Sequence, residues 1–201
     1  TYDSLKLEAA KFLIRNMPHC YSYQQGGEMD SVKRVRTYYS PFGQIDQTYA
    51  RRWGHYTYRN LPKIYDAHII TAEYLIDNID RAFDNWQKRP WNRSLSFEDF
   101  CEYLLPYRIG DEPLEEWREL YEKKYGYLLD SIYKGSDVVE AANLVSRHLQ
   151  EPVFIYCEDF ELPHIGPRYL FSHRYGSCVD AADIVTYAFR AVGIPCMEDT
   201  D

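Results

Sequence analysis

The stretch Arg174-Tyr175-Gly176-Ser177-Cys178-Val179-Asp180-Ala181-Ala182-Asp183, continued by Phe189-Arg190-Ala191-Val192-Gly193-Ile194-Pro195, decides how this chain is read. Cys178, Ala181, Ala182, Val185, Ala188, Phe189 and Val192 recur at spacings of three and four, which predicts a helix from Cys178 to about Val192. Gly193 reads as its left-handed C-terminal cap and Pro195 as its stop. Gly176 and Ser177 form the entry turn, so Cys178 falls in the first helical turn. The free N–H groups and positive dipole end of a helix start favour a thiolate over a thiol, and the thiolate is the nucleophile. A glycine just before it lets a substrate or a facing backbone approach closely. The competing reading is a small buried hydrophobe at a helix start.

Working outward, Val153-Phe154-Ile155-Tyr156 is a short β-branched and aromatic run that predicts a strand, and Pro163, Gly166 and Pro167 mark a loop. Everything before residue 150 reads as mainly helical. Leu5, Ala9, Phe12, Leu13 and Met17 predict a helix from Asp3 to Met17, capped by Asp3 or Ser4 and stopped by Pro18. Ile69, Ala72, Ile76, Ile79, Phe83 and Trp86 predict a longer one over about 65–87. Ser96 and Asp99 look like a capping box for a short helix carrying Phe97, Phe100, Cys101 and Leu104. Asp111-Glu112-Pro113 reads as the opening of another, with Leu114, Trp117, Tyr121 and Leu128 inward. Ser136 or Asp137 caps a further helix whose inner positions are Val138, Ala141, Ala142, Val145 and Leu149. Between them, about 19–61 holds no period and is dense in tyrosine, so it reads as an ordered, irregular excursion.

The chain has 201 residues, 45% hydrophobic and 27% charged, enough to fold without a metal or a disulfide. With 23 Lys+Arg against 31 Asp+Glu its net charge is −8, which argues against a nucleic-acid partner, because that affinity comes from clustered basic residues. No apolar run is long enough for a transmembrane segment. The five cysteines, Cys20, Cys101, Cys157, Cys178 and Cys196, form no CxxC pair, and the histidines show no HxxxH or HxH spacing, so neither a metal site nor a cofactor is expected. The odd count leaves at least one thiol unpaired within the chain. Tyrosine supplies 20 residues, fitting half-buried surfaces or grooves that face sugars and peptides. Trp86, Pro90 and Trp91 with Arg89 and Arg93 read either as a stacking platform or as helix-end packing, the latter being commoner. Glu115, Glu116, Glu119 and Glu122 read as a solvated helix face.

Gly176-Ser177-Cys178, Ala181-Ala182 and the closing Phe189-Arg190-Ala191-Val192-Gly193-Ile194-Pro195 resemble the nucleophile helix of the transglutaminase-like superfamily of papain-like cysteine enzymes, with Val192 where leucine is common. The resemblance covers about residues 174–195, and the helical region before it is similar to the N-terminal half of bacterial, envelope-associated members. It implies an α+β, mainly helical chain: a helical subdomain over 1–150, then the start of a transglutaminase-like core over 151–201. It implies a hydrolase or acyl transferase acting on peptide or amide bonds through a thioester on Cys178, in the periplasm or cell envelope, anchored there through a removed N-terminus.

The family's histidine and aspartate follow the cysteine, but none of the residues from Val179 to Asp201 is a histidine. A chain opening on Thr1 and ending at Asp201 is therefore expected to be a piece of a longer one. His173, five residues before Cys178, is a candidate auxiliary base, with His164 ranked below it. The implied partner is a peptide or protein substrate, or a glycan. The alternative is a non-catalytic glycan- or peptide-binding module on the same scaffold.

Overall fold

A computed structural model describes residues 2–39, 57–151, 154–156 and 162–198. The molecule is mainly helical with a small β component, as the sequence predicts. Helix α1 (Tyr2–Asn16) ends in a 3-10 turn at Met17–His19 containing Pro18. It takes in Asp3 and Ser4, so neither is its cap. Ala9, Leu13 and Met17 are buried along one stripe, as expected.

The stretch read as irregular contains regular elements. Strand β1 (Tyr21–Tyr23) is followed by helix α2 (Glu28–Tyr39), which buries Met29 and Val32 one turn apart. The remainder of that stretch up to residue 56 lies outside the described residues. Strand β2 (Lys63–Tyr65) pairs antiparallel with β1, with Ser22 opposite Ile64.

The next helix, α3, runs from Ala72 to Lys88 and corrects the expected start near Tyr65. Asp66 opens a separate 3-10 turn, because its wholly buried carboxylate is held by the Arg108 guanidinium. Thr71 then caps α3 by accepting the Tyr74 N–H at 3.2 Å. Of the expected inner stripe, Ile79 and Phe83 are buried, but Ile69, which precedes the helix, and Ile76 are exposed. Helix α4 (Phe97–Tyr103) starts at the predicted capping box: Asp99 N–H donates to Ser96 Oγ at 3.0 Å and Ser96 N–H to the Asp99 carboxylate at 3.3 Å.

Helix α5 begins at Arg118, not at Asp111–Pro113, and runs to Tyr127 before a π-helical turn at Leu128–Ile132. The Glu112 side chain turns inward and accepts the N–H groups of Ile109 and Gly110 at 2.8 and 2.7 Å, which holds 109–112 in a loop. Helix α6 (Val138–Leu149) is capped by Asp137, whose carboxylate accepts the Val139 and Glu140 N–H groups. Strand β3 (Ile155–Tyr156) pairs in parallel with β4 (Tyr175–Gly176), and helix α7 (Pro167–Ser172) lies between them in sequence. Helix α8, Cys178–Ala191, is the one the sequence marked most clearly.

Two larger cores result. The first packs α1, α3 and α4 through Ala9, Leu13, Ile79, Phe83, Phe100 and Leu104. The second surrounds α8 and draws on both sides of residue 150, including Trp117, Tyr121, Val145, Leu170, Tyr187 and Ile194. Each fully buried large apolar side chain contributes about 1.5–3 kcal/mol. Among the described residues no helix is long and apolar enough to cross a membrane.

Candidate functional site

Parallel strand β4 delivers the chain into α8 through Gly176 and Ser177. Ser177 is the N-cap of a second capping box. Its N–H and hydroxyl both donate to Asp180, at 2.7 and 3.0 Å, and its Oγ accepts the Asp180 N–H at 3.4 Å. Asp180 can fold back this far only because residue 176 is glycine: a Cβ there would stand 2.4 Å from the Asp180 carboxylate. Gly-Ser-Cys-x-Asp is thus one local device that starts the helix and leaves Cys178 on its first turn.

Cys178 is exposed and unpaired. Cys20 and Cys196 are half-buried, and Cys101 is buried, its thiol pushed up to about 11 by burial and by the Glu102 and Glu98 charges. Cys157 lies outside the described residues. Beside Cys178, on the same stripe of α8, Ala181 and Val185 help line a groove of about 500 Å³ shared with Leu149 and Phe154.

The far end of α8 is held by buried polar groups. Gly193 takes the predicted left-handed conformation at φ +82°. Arg89 donates to the Val192 carbonyl at 2.7 Å, and Trp91 and Asn92 both donate to Gly193 O at 2.9 Å. Trp86 stacks on Phe100 at 4.5 Å. The Trp86–Trp91 cluster therefore packs against neighbouring helices.

His173 ends α7, with Nδ1 3.2 Å from the Tyr169 carbonyl and its ring stacked on Tyr169 at 4.4 Å. His164, ranked below it, has the more developed surroundings. Its N–H donates to Asp111 at 2.9 Å, and its Nδ1 lies 3.0 and 2.9 Å from the two carboxylate oxygens of Asp183, which is wholly buried on α8. Its ring packs so closely on Gly110 that a Cβ there would stand 2.4 Å from Nε2. Burial opposes its charge, but the hydrogen bond and carboxylate of Asp183 outweigh that and lift His164 to about 9. The pair joins two segments 19 residues apart and has no motif. The available signal was Asp183 itself, a carboxylate inside a helix buried on most sides, which requires a partner.

The glutamates divide. Glu119 and Glu122 reach Arg81 on α3, whereas Glu115 is half-buried and accepts the Arg168 N–H at 3.0 Å, so it does not belong to a solvated face. Burial pushes its carboxyl above the usual range. Scanned against family models, curated proteins and solved structures, the chain matches none of them.

Proposed function

We propose that this chain carries the nucleophile helix of a transglutaminase-like thiol enzyme acting on peptide or amide bonds. The observation that supports this reading is the exposed, unpaired Cys178 at the first position of a helix opened by a strand, a glycine and a capping box. In the proposed reaction the Cys178 thiolate attacks a carboxamide carbon. The carbon–nitrogen bond breaks, and the nitrogen leaves as an amine after taking a proton from the general acid. Water or a second amine then attacks the thioester, gives up its proton and returns the thiolate.

Cys178 alone is assigned. The resemblance places the base and its orienting acid after the cysteine, where the chain to Asp201 has no histidine. The His164–Asp183 pair is not offered in that role. Asp183 stands five residues along α8 from Cys178, about 140° around the helix, and the His164 ring is packed on Gly110.

The test uses the full natural chain. Iodoacetamide labelling followed by peptide mass spectrometry should modify Cys178 well ahead of Cys101, and Cys178→Ala should abolish turnover of a peptide amide. Labelling of Cys178 no faster than Cys101, or turnover that survives Cys178→Ala, defeats the reading. Survival of ligand binding without any turnover in the unsubstituted protein favours a binding module instead.

A further inference from the structure

His164, Asp183 and Glu198 come from three separate segments: the loop before α7, the middle of α8 and the tail beyond Pro195. Each offers one ligand atom, and those atoms all lie within 4.8 Å of one another. We propose that these three side chains form a binding site for a divalent transition ion of the zinc and manganese class, which ties the loop and the tail onto α8.

The chemistry of the donors selects that class. One imidazole nitrogen and two carboxylate oxygens suit zinc and manganese, and the absence of a thiolate from the set disfavours softer ions. An entering ion must displace the His164 Nδ1 proton to solvent, and the two carboxylates and neutral imidazole that remain carry a charge that a divalent ion neutralises. Neighbouring ligands about 2.0–2.1 Å from one ion stand about 3 Å apart, so donors that lie within 4.8 Å of one another draw together on binding. The His164 Nδ1 lies 2.9 Å from an Asp183 oxygen. On binding, the ion takes the position of the Nδ1 proton, and the ring keeps its other proton on Nε2. The surroundings already orient the donors: Asp111 holds the His164 backbone, and Glu112 holds the Gly110 N–H against which the ring rests.

Tyr187, one turn beyond Asp183 on α8, is wholly buried, and its hydroxyl lies beside the Glu112 carboxylate, which also holds the Ile109 and Gly110 N–H groups. The carboxylates that act on it most strongly are Glu112 and Asp183.

The test titrates the chelator-washed full chain with Zn²⁺ by calorimetry, after iodoacetamide has blocked its accessible thiols. One equivalent should bind with Kd on the order of micromolar or tighter, about −8 kcal/mol. Glu198→Gln, on the partly exposed tail where folding is least at risk, should weaken binding by at least about tenfold, as should His164→Gln. His68→Gln should leave it unchanged. Circular dichroism of each variant separates loss of a ligand from loss of the fold. Absence of saturable one-equivalent binding by the unsubstituted protein overturns the proposal. So does binding that survives both Glu198→Gln and His164→Gln, or that falls in His68→Gln instead.

Discussion

The two larger cores solve the same packing problem with different materials. Around α1, α3 and α4 the interior is aliphatic and aromatic. Phe100 lies edge-on to Phe83 at 4.8 Å and stacks on Trp86, and Leu104 and Leu105 close the layer. Around α8 the interior is threaded with charge. Arg118 is buried, has no carboxylate partner among the described residues, and donates to Asn78 Oδ1, to the Leu104, Leu105 and Pro106 carbonyls, and to Arg190 O at the end of α8. Arg190 in turn donates to Cys196 O and Arg108 O at 3.0 Å each. An apolar core is non-directional and accepts shape changes of similar volume. A core of forked guanidinium bonds fixes one arrangement, because each carbonyl left without its donor is a buried loss. That directional region is the one that anchors the C-terminal end of the helix carrying Cys178.

The contrast is sharpest at Arg118. Arg118→Ala should lower the unfolding free energy by about 3–5 kcal/mol in urea titration, and Arg118→Lys should recover little of it, because one ammonium cannot span those acceptors. A full rescue by lysine would erase the distinction between the cores.

Gly193→Ala comes next, at about 2 kcal/mol or more. The residue is at φ +82°, and an added Cβ would stand 2.8 Å from both Asn85 O and Arg89 Cγ. A thermal melt matching the unsubstituted protein would show that the α8 terminus is less tightly held than the hydrogen bonds imply.

The two capping boxes form a matched pair. Ser177→Ala should cost about 1–2 kcal/mol and Ser96→Ala about 0.5–1 by the same titration. The difference arises because Asp180 is buried whereas the Ser96–Asp99 box is exposed to water. Equal costs would mean that burial adds nothing to the cap. Smallest of all, Leu104→Met in the apolar core should cost less than about 1.5 kcal/mol.

Helix α8, the Ser96–Asp99 capping box, the Gly193 cap and the apolar stripes of α1 and α6 were legible because each depends on residues within one or two turns of each other, whereas the Ser177–Asp180 box was read only as an entry turn. Asp111–Pro113 misled for the opposite reason. Acidic residues and a proline form a good helix start, but Glu112 finds better partners in the Ile109 and Gly110 N–H groups and in the surrounding fold. The start of α3 shifted because Asp66 is claimed by Arg108, 42 residues away. At the candidate site Cys178 was visible from its neighbours, while the pairing of His164 with Asp183 was not, since no spacing rule links a loop histidine to the middle of a later helix.

The sequence by itself determined where α8 starts and stops and that Cys178 occupies its first turn, because capping boxes, glycine caps and helical periodicity are local and act before the chain folds up. Only the tertiary structure decided which polar groups go inside. Burial makes an unpaired charge costly, so Arg118, Asp66, Asp183 and His164 are placed by partners that the chain brings from elsewhere, and those partners are known only once the helices have packed.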